Sequence, residues 1–503
     1  MNPIIETAQG RVEGVVRDGV ASFRGVPYGA STAGEGRFAP PAPPQSWTGV
    51  RSAHDFGPIC PQVRPSGSAA SEDCLVLNVW TPAPEGRRPV LVWFHGGGFL
   101  AGQGDTRETD GAALARDQDV VVITLNHRLG LLGFLDLESI SDERFAHAKN
   151  AGMLDLVAAL RWVRDNIAAF GGDPDSVTVF GHSGGGGKVS AMLAMPAARG
   201  LFHRAMVLGG PPFGIKTRDE TARTAHLVLS QLGLDPSSAE RIFEVPVAQL
   251  LEAQDALGAG AIPSEHGTRF SPVVGGEDLP VDPYTALAAG MSADIPVIAG
   301  TARDEAHAAF FALERYRSGR WQPTLDELVT LITPGLSNPA DAGPLIDRYL
   351  AHSPRMSRAE VFLTICSDQF RVRTARLVDA RLAGGAPHTF VYSAEIAHGS
   401  LPGAYHGVEV PFFFGTMGAD TKIGPTAERS QLGAQVTAAV GSFARHGTPG
   451  EGWPAYDPAS RREAVLRDDG IIHDVPGYSD DLRALWQGIP LGVDTDPWTT
   501  LYR

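Results

Sequence analysis

The chain has 503 residues, of which 43% are hydrophobic and 20% charged, a composition typical of a folded globular protein with a large core. Its formal net charge is −15 and it contains no basic run, which argues against nucleic acid and anionic membrane as partners. The sequence contains no run of 18 apolar residues, so no membrane-spanning helix is predicted. The first residues lack the basic and apolar regions of an export signal. We therefore expect a cytoplasmic protein.

Three cysteines are too few for a disulfide framework. Cys60 and Cys74 could pair across a short loop, but the expected compartment favours reduced thiols.

The N-terminal region, residues 4–28, alternates apolar and polar positions around several glycines, which predicts a meander of short antiparallel strands. A proline-rich loop follows, and the second half of residues 71–80 reads as another strand.

Nearly continuous apolar runs at residues 89–94 and 119–124 predict strands that are covered on both faces. Helical spacing extends over residues 153–170, and further buried strands are predicted at 177–180 and 205–208. This alternation of strand and helix predicts an α/β fold with a mostly parallel central sheet and helices on both faces.

Amphipathic helices are predicted in two blocks, near residues 216–257 and 324–384, with sheet strands at 295–299 and 388–392. The helical blocks are therefore interpreted as insertions over the sheet, within a single domain spanning residues 1–503. The final helix is predicted at 431–446, followed by a short tail.

The segment Gly-His-Ser-Gly-Gly at residues 181–185 fits the G-x-S-x-G nucleophile elbow, with a strand before it and a helix after it. In this motif a sharp turn exposes the serine hydroxyl, here that of Ser183, and the flanking glycines let neighbouring segments approach. The five-residue pattern also fits a simple glycine turn, but the predicted strand and helix favour the elbow.

A second motif, His-Gly-Gly-Gly-Phe at residues 95–99, directly follows a predicted buried strand. Lipases and esterases have a donor to the oxyanion at this place, because glycines leave their backbone N–H groups uncovered. A flexible turn is the alternative when the motif is taken alone.

Together with these two motifs, six further segments make the chain resemble a type-B carboxylesterase of the α/β-hydrolase class, the family of para-nitrobenzyl esterases and cholinesterases. They are Phe-Arg-Gly-Val-Pro-Tyr at 23–28, Ser-Glu-Asp-Cys-Leu-Val-Leu-Asn at 71–78, Asn-His-Arg-Leu-Gly at 126–130, Asn-Ala-Gly-Met-Leu-Asp at 150–155, Phe-Gly-Gly-Asp-Pro at 170–174 and Trp-Pro-Ala-Tyr at 453–456. The matches keep the family order along nearly the whole chain.

The resemblance implies a catalytic triad in which Ser183 is the nucleophile, Glu305 the acid and His406 the base. Glu305 lies in Gly-Thr-Ala-Arg-Asp-Glu-Ala at 300–306, and His406 begins His-Gly-Val-Glu before an aromatic run. The resemblance also implies an oxyanion hole made by the backbone N–H groups of three glycines: Gly97, Gly98 and Gly184. We predict neither a metal nor a cofactor.

Each role has a rival in the sequence. Asp304 stands beside Glu305, His398 lies in the same loop region as His406, and Glu409 is a further carboxylate. Only His406 has a glutamate three residues on and aromatic residues after it. We expect Glu409 to be structural or to line the pocket.

The chain departs from the family pattern at four places. His182 replaces the usual Glu before the nucleophile, Gly184 a common Ala, and Ala306 the usual Gly. At position 184 the oxyanion donor is the backbone N–H, so glycine in place of alanine keeps this donor. The loop between Cys60 and Cys74 has no aromatic residue to hold a quaternary ammonium group, so a choline ester is not expected.

The resemblance implies a hydrolase acting on small to medium carboxylic esters through an acyl-serine intermediate. The same triad would also serve acyl transfer to an alcohol or amine, or cleavage of an amide or carbamate. The alternative outside the enzymes is a non-catalytic binding protein with this fold. The presence of Ser183, Glu305 and His406 argues against it. The expected partner is a small-molecule ester, and the sequence leaves the oligomeric state open.

Overall fold

The structure is a computed structural model that describes residues 2–65, 67–258, 270–307, 320–397, 403–418, 424, 426–476 and 480–491. No helix in these ranges is both long enough and apolar enough to cross a membrane.

Fourteen strands are found in the described residues, and we number them in chain order. They are β1 Ile4–Thr7, β2 Gly10–Glu13, β3 Val15–Arg17, β4 Val20–Pro27, β5 Val50–Ser52, β6 Val76–Thr81, β7 Arg88–Phe94, β8 Val121–Leu125, β9 Gly172–His182, β10 Arg204–Leu208, β11 Val297–Ala302, β12 Thr389–Ala394, β13 Arg462–Arg467 and β14 Gly470–Pro476.

The α-helices of the described residues are numbered in the same way. They are α1 Ala112–Gln118, α2 Gly130–Phe134, α3 Ala151–Asn166, α4 Gly184–Met192, α5 Arg218–Gln231, α6 Val247–Ala256, α7 Pro283–Ala288, α8 Leu325–Ile332, α9 Ala342–His352, α10 Arg358–Ala383, α11 Val410–Phe414, α12 Ala427–His446 and α13 Asp480–Leu485.

Across the described ranges, the large sheet has eleven strands in the order β14-β13-β12-β11-β10-β9-β7-β8-β6-β4-β3. Pairing is parallel from β13 through to β8 and antiparallel at both margins. The prediction of a mostly parallel sheet with antiparallel N-terminal strands is confirmed. The strands of the predicted meander belong to two sheets. β1 and β2 form a separate small sheet with β5, whereas β3 and β4 belong to the large sheet.

Alternate side chains of the central strands enter two different hydrophobic clusters, one on each face of the sheet. On β7, Val90 and Val92 belong to one cluster, whereas Leu91 and Trp93 belong to the other. Burial on both faces explains why these strands read as continuous apolar runs.

The predicted helical blocks contain α5 and α6 in the first, and α8, α9 and α10 in the second. The sequence prediction for the C-terminal part was wrong in one respect. The chain continues after α12 with β13 and β14, which extend the large sheet, and then with α13.

The register of the central strands determines where the loops after them meet. Phe94 pairs with Gly181, His182 with Leu208, and Leu208 with Gly300. Because parallel strands end at the same edge of a sheet, the segments that follow β7, β9, β10 and β11 are brought together there.

Candidate active site

The serine motif forms a sharp turn between β9 and α4. Ser183 has φ +58° and ψ −125°, a backbone conformation that non-glycine residues rarely adopt. A Cβ at Gly181 would lie 2.5 Å from the backbone of Gly185, and one at Gly185 would lie 2.0 Å from the Phe94 carbonyl oxygen. Both flanking positions therefore require glycine, as the elbow interpretation predicts.

The glycine segment, residues 96–98, lies beside this turn. A Cβ at Gly96 would be 3.5 Å from Cβ of Ser183, and one at Gly97 would be 2.3 Å from the Ala101 carbonyl oxygen. Gly97 and Gly98 have φ of +93° and +66°, which favours glycine at both positions. The segment can thus present backbone N–H groups next to the serine.

Three backbone N–H groups, those of Gly97, Gly98 and Gly184, donate to no protein acceptor within the described ranges. Gly184 is the first residue of α4, where unpaired N–H groups and the positive end of the helix dipole favour an anion. These groups have the properties required of oxyanion donors.

Gly184 is also sterically required, which could not be seen in the sequence. A Cβ at this position would lie 2.1 Å from the Gly98 carbonyl oxygen. The glycine segment therefore packs against α4 more closely than an alanine would allow.

Glu305 and His406 are hydrogen-bonded through Oε2 and Nδ1, although they are 101 residues apart in the chain. The other carboxylate oxygen of Glu305 accepts the Ala302 backbone N–H at 2.8 Å, and the Glu305 side chain has no solvent exposure. This contact orients the imidazole, with Nδ1 toward the acid.

Burial lowers the pKa of His406 and raises the pKa of Glu305, in the latter case against the Ala302 N–H and the charge of Arg371. Burial thus keeps the His406 imidazole neutral, and where the Glu305 carboxylate accepts from Nδ1–H, the proton of that neutral ring is on Nδ1. Nε2 of His406 is then unprotonated and can accept a proton from a hydroxyl.

The imidazole of His406 packs against His182, which lies in the serine turn. The rings of His182 and His406 lie 4.3 Å apart between centroids, and His182 immediately precedes Ser183. The ring of Phe370, on α10, packs 5.5 Å from the His406 ring on another side. Neutral His182, whose pKa burial holds far below its ordinary value, occupies the place where the family pattern has a carboxylate.

The rival residues have other partners. Asp304 accepts the Ala404 backbone N–H at 2.9 Å and pairs with Arg303, so it fastens the loop that carries His406 without bonding the imidazole. Glu409 accepts the Tyr392 hydroxyl at 3.1 Å. His398 lies outside the described residues.

A cavity of about 320 Å³ opens beside the two histidines. Its walls include His182, His406, His95, Thr109 and Tyr405. Ser183 and the three glycines of the predicted oxyanion hole are not among its lining residues, so this cavity adjoins the imidazole and not the nucleophile.

One cluster among the described residues has the composition of a metal site: His147, Glu277 and Asp278, whose ligand atoms lie within 4.8 Å of one another. Both imidazole nitrogens of His147 already contact these carboxylates, at 3.2 Å and 3.1 Å. Hydrogen bonding explains this arrangement, and none of the three residues belongs to the serine site.

Comparison with known proteins shows similarity over nearly the whole chain. The model of the carboxylesterase family matches residues 1–470. The para-nitrobenzyl esterase of Bacillus subtilis is 35% identical over 490 residues, which cover 94% of this chain and 96% of that protein. Liver carboxylesterase 1 of Oryctolagus cuniculus is 33% identical over 90% of this chain and 88% of its own length.

Solved structures give the same result. The crystal structure of a carboxylesterase from Geobacillus stearothermophilus matches with a TM-score of 0.86 at 36% identity, over 96% of this chain and 100% of that one. A para-nitrobenzyl esterase structure matches with a TM-score of 0.84 at 33% identity, over 96% of this chain and 99% of that one.

Proposed function

Because this chain belongs to the carboxylesterase family, has the α/β-hydrolase fold and is a carboxylic-ester hydrolase, we propose that it forms its acyl-enzyme intermediate on Ser183. The observation that carries this proposal is the Glu305–His406 hydrogen bond, with the imidazole packed against the residue that precedes Ser183.

In the first half of the reaction, the Ser183 oxygen attacks the ester carbonyl while Nε2 of His406 takes the hydroxyl proton. Glu305 keeps the imidazole in the required tautomer and stabilises the imidazolium that forms. The tetrahedral intermediate then breaks its bond to the alcohol oxygen, which leaves as the alcohol with the proton from His406.

Negative charge develops on the former carbonyl oxygen in both halves of the reaction. We assign its stabilisation to the backbone N–H groups of Gly97, Gly98 and Gly184, each worth about 3–4 kcal/mol of the barrier in comparable sites. In the second half, His406 removes a proton from water, the hydroxide attacks the acyl carbon, and the serine oxygen leaves with that proton.

The proposed substrates are small to medium esters with short acyl chains. The test is a series of p-nitrophenyl esters of increasing acyl length, with the Ser183→Ala variant as the control. We expect the highest kcat/KM at short chains and loss of turnover in the variant. A maximum at long chains would contradict the assigned size class.

Acyl transfer to an added alcohol uses the same residues, and product analysis separates it from hydrolysis. If the ester of the added alcohol forms faster than the free acid at modest alcohol concentration, the enzyme is an acyltransferase.

We also propose a cytoplasmic location, in which Cys60, Cys74 and Cys366 remain reduced. All three are buried free thiols in the structure. Cell fractionation, with thiol counting on the unfolded chain, tests this placement.

A further inference from the structure

One face of α4 lies directly against the glycine segment and the phenylalanine that follows it. Residues 184, 187 and 188 share this face, because positions three and four apart are neighbours on a helix. A Cβ at Gly184 would meet the Gly98 carbonyl oxygen at 2.1 Å, and one at Gly187 would meet the Phe99 ring at 3.4 Å.

The third residue of this face, Lys188, contacts the chain on both sides of the three glycines. Its Nζ donates to the His95 carbonyl oxygen at 2.9 Å, immediately before the segment. The same nitrogen lies 5.6 Å from the centroid of the Phe99 ring, immediately after it. Phe99 is held in addition by its carbonyl oxygen, which accepts the Gly130 N–H at 2.7 Å.

Lys188 is completely buried, and no carboxylate of the described ranges forms an ion pair with it. Burial accordingly lowers its pKa to about 7. A buried amine is costly unless it is hydrogen-bonded, whereas a methionine would fill the same space without that cost. The compensation in this structure is the bond to His95.

The glycine segment needs such an attachment. Glycine has the greatest backbone freedom of any residue, and oxyanion donors are effective only when they already point to where the charge develops. The bond from Lys188 to the His95 carbonyl joins the start of the segment, where β7 ends at Phe94, directly to α4.

We infer that Lys188 is a positioning residue, which fixes the glycine segment onto the helix of the nucleophile and so preorganises the oxyanion donors. This inference rests on the proposed function, since it concerns the same donors.

The first test compares Lys188→Met, which keeps the length of the side chain, with Lys188→Gln, which keeps a donor. Lys149→Met is the matched control, because Lys149 is also buried but bonds Glu138 and the Ala146 carbonyl. We expect Lys188→Met to lower kcat between about 10-fold and 10²-fold with little change in KM. Lys188→Gln should recover part of this loss, and Lys149→Met should lose stability but not kcat.

Affinity for an aryl trifluoromethyl ketone separates positioning from a merely structural role, because the ketone forms a tetrahedral oxyanion on the serine. Its affinity should fall in Lys188→Met by the same factor as kcat. Unchanged ketone affinity or unchanged kcat in a folded Lys188→Met variant would overturn the inference.

Hydrogen exchange gives a readout that does not depend on activity. Deuterium uptake of peptides covering residues 95–99 should rise in Lys188→Met, or in Lys188→Gln if the methionine variant does not fold, and not in Lys149→Met. Unchanged uptake would refute the positioning role. Activity that survives in Ser183→Ala would refute the proposed function instead.

Discussion

The hydrogen bond between Glu305 and His406 determines which atom of the imidazole faces the substrate. Asp304, one residue earlier, bonds the backbone of Ala404 and not the imidazole. The two adjacent carboxylates therefore have different tasks, and exchanging each for its amide distinguishes them.

We predict that Glu305→Gln lowers kcat by about 10³-fold to 10⁴-fold, because an amide N–H toward Nδ1 favours the wrong tautomer. Asp304→Asn keeps an oxygen for the Ala404 N–H and should retain most of the activity. Steady-state kinetics on one p-nitrophenyl ester measures both. Equal losses in the two variants would count against Glu305 as the acid.

At the scale of elements, the close packing of α4 against the glycine segment predicts different outcomes for two glycines of the same helix. Gly184→Ala should lower kcat at least tenfold, because its Cβ would overlap the Gly98 carbonyl oxygen at 2.1 Å and displace a donor. Gly187→Ala places a Cβ at an ordinary 3.4 Å from Phe99 and should leave kcat nearly unchanged. Full activity of the Gly184→Ala variant would show that the glycine segment can move away from α4 without loss of catalysis, and would contradict this prediction.

Lys188 makes the stability of the fold depend on pH in a defined window. Its pKa is about 7 in the folded chain, against the ordinary 10.5. Between these values the unfolded chain binds more protons, so this group's contribution to stability rises with pH, by at most about 1.4 kcal/mol per pH unit. Below pH 7 its contribution is constant.

The unfolding free energy of the wild type relative to Lys188→Met should therefore shift in favour of the wild type between pH 7 and pH 10. Urea unfolding of both proteins at matched pH values measures the difference. A difference that is constant over this range would mean that Lys188 keeps its ordinary pKa in the folded chain.

The central strands could be predicted from the sequence because burial on both faces leaves them uniformly apolar, as in β7 and β8. β13 was missed because charged residues stand at both its ends and leave only Ala464, Val465 and Leu466 as an apolar run. The pairing of Glu305 with His406 could be predicted only from the resemblance to the carboxylesterase family. Its physical origin is that β11 and β12 are neighbouring parallel strands, and the loops after them meet at one edge.

The role of Lys188 and the steric requirement for glycine at position 184 could not be predicted, because each depends on a tertiary contact with the segment after β7. A lysine in a helix ordinarily faces solvent. Only the packing of α4 shows that this one is buried and which carbonyl it reaches.

For the whole molecule, we propose a single domain, because strands from both ends of the chain enter one sheet, from β3 to β14. Within the second block, α10 packs against β11 and β12 and supplies Phe370 to the site, and α8 and α9 pack against α10. Differential scanning calorimetry should show one cooperative transition with equal calorimetric and van't Hoff enthalpies. Two resolved transitions would assign the blocks to separate folding units.

The central claim is that Glu305 and His406 activate the hydroxyl of Ser183, which then attacks the substrate. Its most direct measurement is peptide mapping by mass spectrometry after reaction with a fluorophosphonate, which forms a stable adduct with an activated serine. We predict one adduct per chain, located on Ser183, with loss of esterase activity in proportion to labelling and far slower labelling of His406→Ala. An adduct on another residue, or full labelling of the Ser183→Ala variant, would contradict the account.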